Sequence, residues 1–572
     1  SKGSGFWPSL ADRTAGLASG LPKNPDAVRA LLAALLALAG VLLGGMAATA
    51  DQTLHRGVET GAETPWVRQP TGRDLATNVD LTRFAPEQLD AVAAALQENG
   101  FRYVRQSFAW AQIEPARGAF EWQRYDAIVD ALERHFVTPV AVLHRSPAWA
   151  RLPEQAAAFD APPAIPEDYE TFVQAVVQRY GERVPYVQLW DLPNRADRWG
   201  GAPDAGAYRD LLARGSNAAR GQGTNTTVVL AELDPAPTPN LAGDDLAFLR
   251  ELYEADAAPF FQVVAARVDG GARSPFDRSV APGIANLSRA TLVREVMTEA
   301  GDVAKPIWAT HYGWRAGDGP GAVDATDQAA FTLAGMERAR AEWPWMGPLF
   351  AAGLVPGPAL GGEVAPGEAL FAADGSPSPL FRAFGDFVAR GATEVAPTGF
   401  LPVDAPQVVL EGNWDLQHLP TTTYRTTREV GARATVRFAG TGIVALVRLG
   451  PEAGLVEAVL DGESIEIPLD AFQATDQALS LAEGLADGEH VLTVRLAEPG
   501  QLTIGGLQVV REVPLRWPVA LLLGGGLALL FLGLRQIAYL VAERTGRLQR
   551  RRGVEFWPEL PQIPDWRPAR RA

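Results

Sequence analysis

Titratable side chains stand at the ends of two apolar runs that have the pattern of buried strands. Residues 187–189 are followed by Asp191, and residues 307–310 are followed by His311. A carboxylate or an imidazole in such a place can accept or release a proton. Leu192, the next residue after Asp191, cannot, because an aliphatic side chain carries no exchangeable proton. The two strand ends therefore offer Asp191 and His311 as candidates for acid–base chemistry.

Four stretches of sequence resemble the retaining glycosidases of glycoside hydrolase clan A. Residues 187–194, Val-Gln-Leu-Trp-Asp-Leu-Pro-Asn, are similar to the fourth-strand signature Trp-Asn-Glu-Pro-Asn. Residues 103–122 resemble the second-strand segment, with a strand arginine followed by Trp-x-x-Ile-Glu-Pro and Gly-x-Phe-Glu-Trp. Residues 306–314 are similar to the seventh-strand motif Pro-Ile-Trp-x-Thr-Glu-x-Gly-Trp, and residues 139–149 to the third-strand loop of the xylosidase and iduronidase branch.

This resemblance implies a (β/α)₈ TIM barrel over residues 70–395 in which both catalytic glutamates are replaced. The acid/base position falls on Leu192 and the nucleophile position on His311. A retaining glycosidase needs two carboxyl groups about 5 Å apart, so we predict no catalytic residue in this barrel. Leu192 and His311 should still lie at the C-terminal ends of the fourth and seventh strands and face a common cleft.

Other polar and aromatic residues of the predicted barrel are candidates for binding a ligand. Arg105 resembles the arginine beneath the family's nucleophile and is expected to pair with Asp191, and His144 resembles a third-strand histidine. The full candidate set is Arg105, Trp110, His144, Trp149, Asp191, Trp199 and Trp314. Substitute catalytic carboxylates are the alternative role for Asp191, Glu232, Asp234 and Asp269, although capping or loop roles are the simpler interpretation.

Residues 396–513 have a different sequence pattern, with short stretches of alternating apolar and polar residues separated by glycine turns. This pattern predicts an all-β sandwich, and it resembles the galactose-binding-like jelly rolls that accompany many glycosidases. Trp414, His418 and Tyr424 are candidates for a platform on which a sugar ring stacks. Packing within the sandwich or against the barrel is the alternative for these three residues.

Composition limits the remaining possibilities. The chain has 572 residues, a formal charge of −16 and no cysteine, and its isoelectric point is near 5.0. Such length predicts two or more domains, and the acidic balance argues against a nucleic acid partner. Without cysteine there is no thiolate nucleophile, disulfide or thiolate-bound metal, and we expect neither a metal site nor a cofactor.

Two charge-free apolar stretches, within 27–50 and 514–541, are long enough to span a membrane. A cleaved signal peptide is the alternative for the first, but the chain extends well upstream of it and we expect an uncleaved anchor. Basic residues flank the outer ends of both stretches: Lys2, Arg13, Lys23, Arg29, Arg535, Arg544, Arg547, Arg550, Arg551 and Arg552. The positive-inside rule then predicts cytoplasmic tails at 1–26 and 542–572 and an extracytoplasmic region between the spans, opening with a linker at 51–69.

Small residues in both spans, at Gly40 and Gly44 and at Gly524 and Ala528, suggest helix contacts through a glycine face. Three functions compete for such a protein. The first is a scaffold subunit that contacts other membrane proteins through its helices and tails. The second is a pseudoenzyme that binds cell-envelope glycan, and the third is an active glycosidase that uses substitute carboxylates. The first two are compatible with each other, and the replaced residues favour them over the third.

Overall fold

The computed structural model describes residues 24–57, 75–222, 226–235, 244–389, 394–418, 423–511 and 517–545, without the side chains at 54, 418, 423, 517 and 518. The chain forms two compact units, one made of Ser1–Leu54 with Leu515–Ala572 and the other of His55–Pro514. Most of the predicted tails and of the predicted 51–69 linker lies outside the described residues.

The second unit contains a closed barrel of eight parallel strands. These strands, β1 to β8, are Leu75–Val79, Phe101–Ala109, Thr138–His144, Tyr186–Leu189, Thr227–Leu230, Val264–Asp269, Ile307–Gly313 and Met346–Ala351. They pair in the order β5-β4-β3-β2-β1-β8-β7-β6. Parallel bridges from Val229 to Val263 and from Leu233 to Ala266 join β5 to β6 and close the ring. The predicted TIM barrel is confirmed.

A helix follows each barrel strand. The longer helices of the chain, α1 to α10, are Pro25–His55, Pro86–Glu98, Gln123–Arg134, Pro166–Tyr180, Ala205–Arg220, Asp245–Glu254, Ala290–Glu299, Ala325–Glu342, Pro379–Ala389 and Trp517–Arg544. Helices α2 to α9 belong to the barrel. In α2 the residues Leu89, Ala93 and Leu96 are buried at helical spacing, and proline occupies the first turn, where no backbone donor is lost.

Side chains fill the barrel interior in layers. The lower layer is apolar and is built from Ala76, Val140, Tyr186, Val229, Val263, Ala265, Trp308 and Phe350. Residues two positions further along a strand point to the same side, and on several strands these are polar: Asn78, Arg105, Gln188, Arg267 and Thr310. The interior of the barrel is therefore apolar toward the N-terminal ends of its strands and polar toward their C-terminal ends.

Two strands differ from their predicted positions. The apolar run at 261–266 predicts the sixth strand, whereas the structure has it at Val264–Asp269. The apolar run at 348–355 predicts the eighth strand, whereas the structure has it at Met346–Ala351. Gln262 and Val263 are hydrogen-bonded to β5, whereas pairing with β7 begins only at Val264. As a result, Arg267 and Asp269 lie within the strand and not after it.

The sandwich begins at Val395, six residues after the end of α9. Its strands, β9 to β20, are Val395–Ala396, Gly399–Pro402, Val408–Glu411, Asp415–His418, Thr423–Thr427, Arg433–Gly440, Gly442–Leu449, Leu455–Leu460, Glu463–Pro468, Thr475–Ala482, Gly488–Leu496 and Leu502–Val510. One sheet has the order β9-β14-β19-β16-β17 with β11 beside β14, and the other β12-β13-β20-β15-β18 with β10 beside β20. The predicted all-β sandwich is confirmed.

Helices α1 and α10 of the first unit are long and apolar enough to cross a membrane, and they pack against each other. Their buried positions repeat every seven residues, at Ala33, Gly40 and Ala47 on α1 and at Val519, Gly526 and Gly533 on α10. A Cβ added at Gly40 would lie 2.5 Å from the Leu530 nitrogen, but one added at Gly44 or Gly524 would meet nothing within 4 Å. The predicted glycines of α1 both lie at this contact, since a Cβ added at Gly526 would meet the Gly44 nitrogen at 2.8 Å and the Gly40 carbonyl oxygen at 2.9 Å. The predicted face on α10 is wrong, because Gly524 and Ala528 are exposed there and Gly526 makes the contact instead.

Candidate functional site

Leu192 and His311, which the family resemblance aligns with the two catalytic glutamates, lie at or just beyond the C-terminal ends of their strands. Leu192 is three residues beyond the end of β4 and fully buried, and His311 lies in β7 and is 5% exposed. Leu192 has a left-handed backbone, with φ of 50°, which is costly for a residue with a Cβ atom. Its amide donates to the carbonyl of Glu232 over 3.1 Å, so the loop after β4 is fastened to the loop after β5.

Arg105 is the centre of a buried polar cluster between these positions. Its side chain has no exposed surface, and Nη2 donates to Asp191 Oδ1 over 2.5 Å. Nε donates to Gln188 Oε1 over 2.8 Å and Nη1 to Asn78 Oδ1 over 3.1 Å. The predicted pairing of Arg105 with Asp191 is confirmed. Each of the three guanidinium nitrogens thus donates a hydrogen bond to another side chain of the protein.

A second arginine, Arg267 on β6, extends this cluster toward His311. Its Nε donates to Asp269 Oδ2 over 2.9 Å, and its Nη2 lies 3.2 Å from His311 Nε2. Glu232 lies between the two arginines, with Oε2 at 3.3 Å from Arg105 Nη1 and Oε1 at 3.9 Å from Arg267 Nη1. We call Arg105, Asp191, Glu232, Arg267 and Asp269 the arginine network, and it borders both replaced positions.

A short hairpin from the loop after β8 closes onto the arginine network. This mouth hairpin, residues 357–364, pairs Gly357–Ala359 with Gly362–Val364. At its turn the amide of Gly361 donates to Asp191 Oδ2 over 3.1 Å, and its carbonyl accepts from Arg267 Nη1 over 3.0 Å. Gly361 has φ of +76°, and a Cβ there would lie 2.9 Å from Glu232 Oε1. Only glycine fits, and the hairpin backbone takes up hydrogen-bonding positions on both Asp191 and Arg267.

Burial and neighbouring charges set the protonation states in this region. Burial raises the pKa of Glu232, and Arg105 only partly offsets the effect. Burial also acts to raise the pKa of Asp191, but Arg105 and His144 outweigh it, and the pKa of this carboxyl falls below its usual value. Burial lowers the pKa of His311 to about 4 and that of His144 to about 3. Both imidazoles are therefore neutral near pH 7 and cannot act as general acids there.

The four candidate tryptophans of the barrel mainly pack inside the protein. Trp110 is fully buried and stacks on Phe172, and Trp199 is 5% exposed and meets Trp190 edge-on. Trp314 is 3% exposed and donates to the carbonyl of Arg273. These three indoles offer no ring face to solvent, and their role in the structure is packing.

Trp149 is only half-buried, but its ring face is covered, with the Arg117 guanidinium 4.5 Å from the ring centroid. Its indole nitrogen donates to the carbonyl of Glu114 over 3.0 Å. His144 is also internal, 3% exposed and 2.8 Å from the Ser107 hydroxyl. Neither side chain reaches the arginine network through a described hydrogen bond.

The predicted sandwich platform is not assembled from its described members. Tyr424 is 1% exposed, and Arg448 lies over its ring, so the ring belongs to the interior. Trp414 packs against the sandwich core and donates to the carbonyl of Glu411. The side chain of His418 lies outside the described residues.

A small cavity lies beside β7, next to His311. It has a volume of about 150 Å³, and Asp269, His311, Trp314 and Glu368 are among the residues that line it. Pockets for drug-sized ligands hold about 300–1,000 Å³, so this cavity is small for a glycan. Among the residues that the structure describes, no group of three or more His, Asp or Glu side chains is placed to hold a metal ion.

Three contributors to this site were missed in the sequence, namely Asn78, Gln188 and Gly361. Asn78 and Gln188 had a usable signal, since each is a polar residue within an apolar strand and shares its inward side with the lower core layer. Gly361 had none beyond a Gly-Gly pair typical of a turn. Its importance arises from contacts with Asp191 and Arg267, which are distant in sequence.

Comparison with known proteins identifies the type of barrel. Residues 82–145, which include Arg105 and His144, match the family model described as β-galactosidase of glycoside hydrolase family 42. This match covers strands β2 and β3 of the TIM barrel and supports its resemblance to glycosidases. No curated protein matches the sequence significantly.

Solved structures resemble this glycosidase-like barrel at low sequence identity. A family 39 glycoside hydrolase from Bacteroides cellulosilyticus is 17% identical, with a TM-score of 0.45, and the alignment covers 74% of this chain and 81% of that one. A family 1 β-glucosidase from Thermotoga maritima is 12% identical, with a TM-score of 0.41, and covers 57% and 99%. Neither similarity assigns an activity to this chain.

Proposed function

We propose that this chain is a membrane-anchored, glycosidase-like pseudoenzyme that serves as a scaffold or accessory subunit and does not hydrolyse glycosides. The observation that carries the proposal is the mouth hairpin, whose Gly361 backbone binds both Asp191 and Arg267. The groups that would hold a substrate are thereby satisfied by the protein itself.

The chemistry of the replaced positions supports the same proposal. Leu192 cannot cycle a proton, and a neutral His311 is a poor nucleophile at a sugar carbon. Loss of acid/base assistance alone costs about 10²–10⁴-fold in rate, and without a carboxylate nucleophile no glycosyl-enzyme intermediate divides the reaction. The two apolar helices, which a freely diffusing hydrolase does not need, favour a role within a membrane assembly. Glycan binding receives less support, because Trp110, Trp199 and Trp314 are buried.

A glycosidase that uses substitute carboxylates is the second candidate. Glu232 favours it, because burial raises the pKa of this carboxyl as a general acid requires. Asp269, 38% exposed, could then act as the ionised partner. Against this, Arg105 and Arg267 already pair with the two groups.

The deciding experiment is a hydrolysis assay of the full chain in detergent with a panel of nitrophenyl glycosides. We expect turnover no faster than the buffer background, both for the wild type and for Asp191→Asn. Measurable turnover that disappears in Glu232→Gln or Asp269→Asn, but persists in the exposed-site variant Glu133→Gln, would establish the second candidate instead. Sizing of the assembly extracted from native membranes tests the scaffold role, because a free monomer there would contradict it.

A further inference from the structure

The segment that follows α1 is held firmly against the barrel. Arg56 forms a bidentate pair with Glu295 on α7, with distances of 2.6 and 2.9 Å. The carbonyl of Gly57 accepts from the Trp345 indole over 2.8 Å, and a Cβ on Gly57 would lie 2.4 Å from Thr291 Cγ2. The connection to the first candidate membrane span therefore leaves the second unit beside the turn between α8 and β8.

The connection to the second span leaves from the same region. Arg511 is the last described residue before α10, and five residues separate it from Trp517. It lines a groove together with Arg340 and Ala341 near the end of α8. Ala341 also accepts a hydrogen bond from the Thr398 hydroxyl over 3.4 Å. Gly57 and Arg511, the described residues of this unit next to the two connections, therefore both lie near the C-terminal end of α8, which also lines the groove.

The groove itself has an apolar wall and a charged rim. It has a volume of about 250 Å³ and lies between the barrel and the sandwich. Its apolar lining consists of Phe387, Val395, Ala396, Pro397 and Ala439. Two guanidinium groups and one carboxylate, from Arg340, Arg511 and Glu337, complete it. Such a combination suits an amphiphile with an anionic head, and not a purely apolar peptide.

The two arginines lie at this rim. Arg511 uses Nε and Nη2 for Asp487, over 2.8 and 2.9 Å, and a guanidinium has five N–H donors, so this pair does not exhaust it. Its side chain is 36% exposed. Arg340 lies over the ring of Phe387, 5.7 Å from its centroid, which keeps that guanidinium at the apolar wall. Arginine is well suited to phosphate, because its planar fork matches two phosphate oxygens.

We propose that this groove binds the head group of a bilayer phospholipid, with the phosphate between Arg340 and Arg511 and the first acyl methylenes along Val395 and Pro397. The inference goes beyond the proposed scaffold function and requires only that α1 and α10 lie in a bilayer. The bound lipid would fix how the barrel and sandwich stand on the membrane surface.

Native mass spectrometry of the full chain, released from detergent micelles with added phosphatidylglycerol, tests this proposal. The comparison is between the wild type, Arg340→Gln with Arg511→Gln, and Arg428→Gln. Arg428 is an exposed sandwich arginine paired with Glu452, so its variant controls for loss of charge. We expect one tightly retained lipid, about fivefold weaker retention for each groove arginine removed, and no change in the control.

A second variant tests the same groove without removing a charge. Ala439→Phe narrows the groove and leaves both arginines in place, and it should displace the same lipid while the melting temperature stays within a few degrees of the wild type. Equal lipid retention by the wild type and the double arginine variant would overturn the proposal. Displacement of the lipid by millimolar glycerol phosphate would also overturn it, since the site would then bind a free anion. Glycoside hydrolysis is unaffected by either result, so the two proposals can fail separately.

Discussion

Arg105 has no exposed surface and bonds to Asn78 on β1, to Gln188 on β4 and to Asp191 in the loop directly after β4. A buried ion pair contributes little net stability, because desolvation offsets most of the attraction between its charges. Removing one partner is different, since the other charge then remains buried and uncompensated. The arginine network therefore fixes the geometry of the mouth more than it adds to the stability of the fold.

Replacing Arg105 with methionine should destabilise the protein by about 3–5 kcal/mol, because Asp191 and Glu232 lose their common cation in a buried site. The measurement is urea unfolding of the full chain in detergent, followed by tryptophan fluorescence. Arg183→Met is the matched control, since Arg183 pairs with Asp130 and Glu133 at the surface and should cost no more than about 1 kcal/mol. Similar costs for the two variants would show that the network carries no special energy.

Glu232 predicts a specific pH dependence of stability. Burial raises its folded-state pKa above the usual 4.5, so the folded protein holds a proton that the unfolded chain releases. Stability then falls as pH rises from the unfolded to the folded pKa. Glu232→Gln removes this titration, and the stability advantage of the wild type over the variant should shrink as the pH rises above 4.5. Urea unfolding across this range is the measurement, and a difference independent of pH contradicts the prediction.

For single residues, the sequence predicts the pairing of Arg105 with Asp191 but not the buried position of Glu232 between Arg105 and Arg267. The first followed from a family motif, in which both residues have known neighbours. Glu232 was interpreted as a capping or loop residue because nothing near it in sequence marks it as internal. Its burial between Arg105 and Arg267 depends on the register of three strands, and register is set by the whole sheet.

The mouth hairpin is an element that local sequence signals describe only as a series of turns. The segment from Pro356 to Pro366 is rich in glycine and proline, which predicts loop structure without specifying what the loop covers. The second, third, fourth and seventh barrel strands are easier to predict, because apolar runs and the motifs at their ends agree. The structure adds that the hairpin turn at Gly361 lies against Glu232, a contact that no local pattern encodes.

For the membrane helices, Gly40→Leu should open the seam between α1 and α10, because the added side chain meets backbone atoms of Leu530 and Gly526 at 2.5 and 2.6 Å. The chain has no cysteine, so a single Ala47→Cys, at a position that is 1% exposed, reports opening through its reactivity with maleimide. We expect roughly tenfold faster labelling, equivalent to about 1.4 kcal/mol.

Gly45→Leu is the control for this prediction, since a Cβ at Gly45 meets nothing within 4 Å. It adds the same side chain to the same helix and should leave the labelling of Ala47→Cys unchanged. Equal labelling rates in the two leucine variants would mean that the glycine seam does not hold the helices together.

At the scale of the whole molecule, the sequence predicts the order of apolar span, barrel, sandwich and second apolar span. It does so because the residue patterns of these four segments differ clearly. It does not predict the packing of the barrel and the sandwich into one compact unit. This packing depends on contacts such as that of Thr398 with Ala341, whose partners lie in separate domains and carry no motif. The interdomain groove and its two arginines are consequences of that packing.

The last prediction concerns the side of the membrane on which this unit lies. The basic residues flank the outer ends of both spans, so the positive-inside rule predicts cytoplasmic tails and an extracytoplasmic barrel and sandwich. Phe472 is 95% exposed on a sandwich loop, and Phe472→Cys in this cysteine-free chain should react with a membrane-impermeant maleimide added to intact cells. Val554→Cys, in the basic C-terminal tail, should react only after permeabilisation. The reverse order of labelling would invert the topology, and the barrel, the sandwich and the lipid-binding groove would then face the cytoplasm.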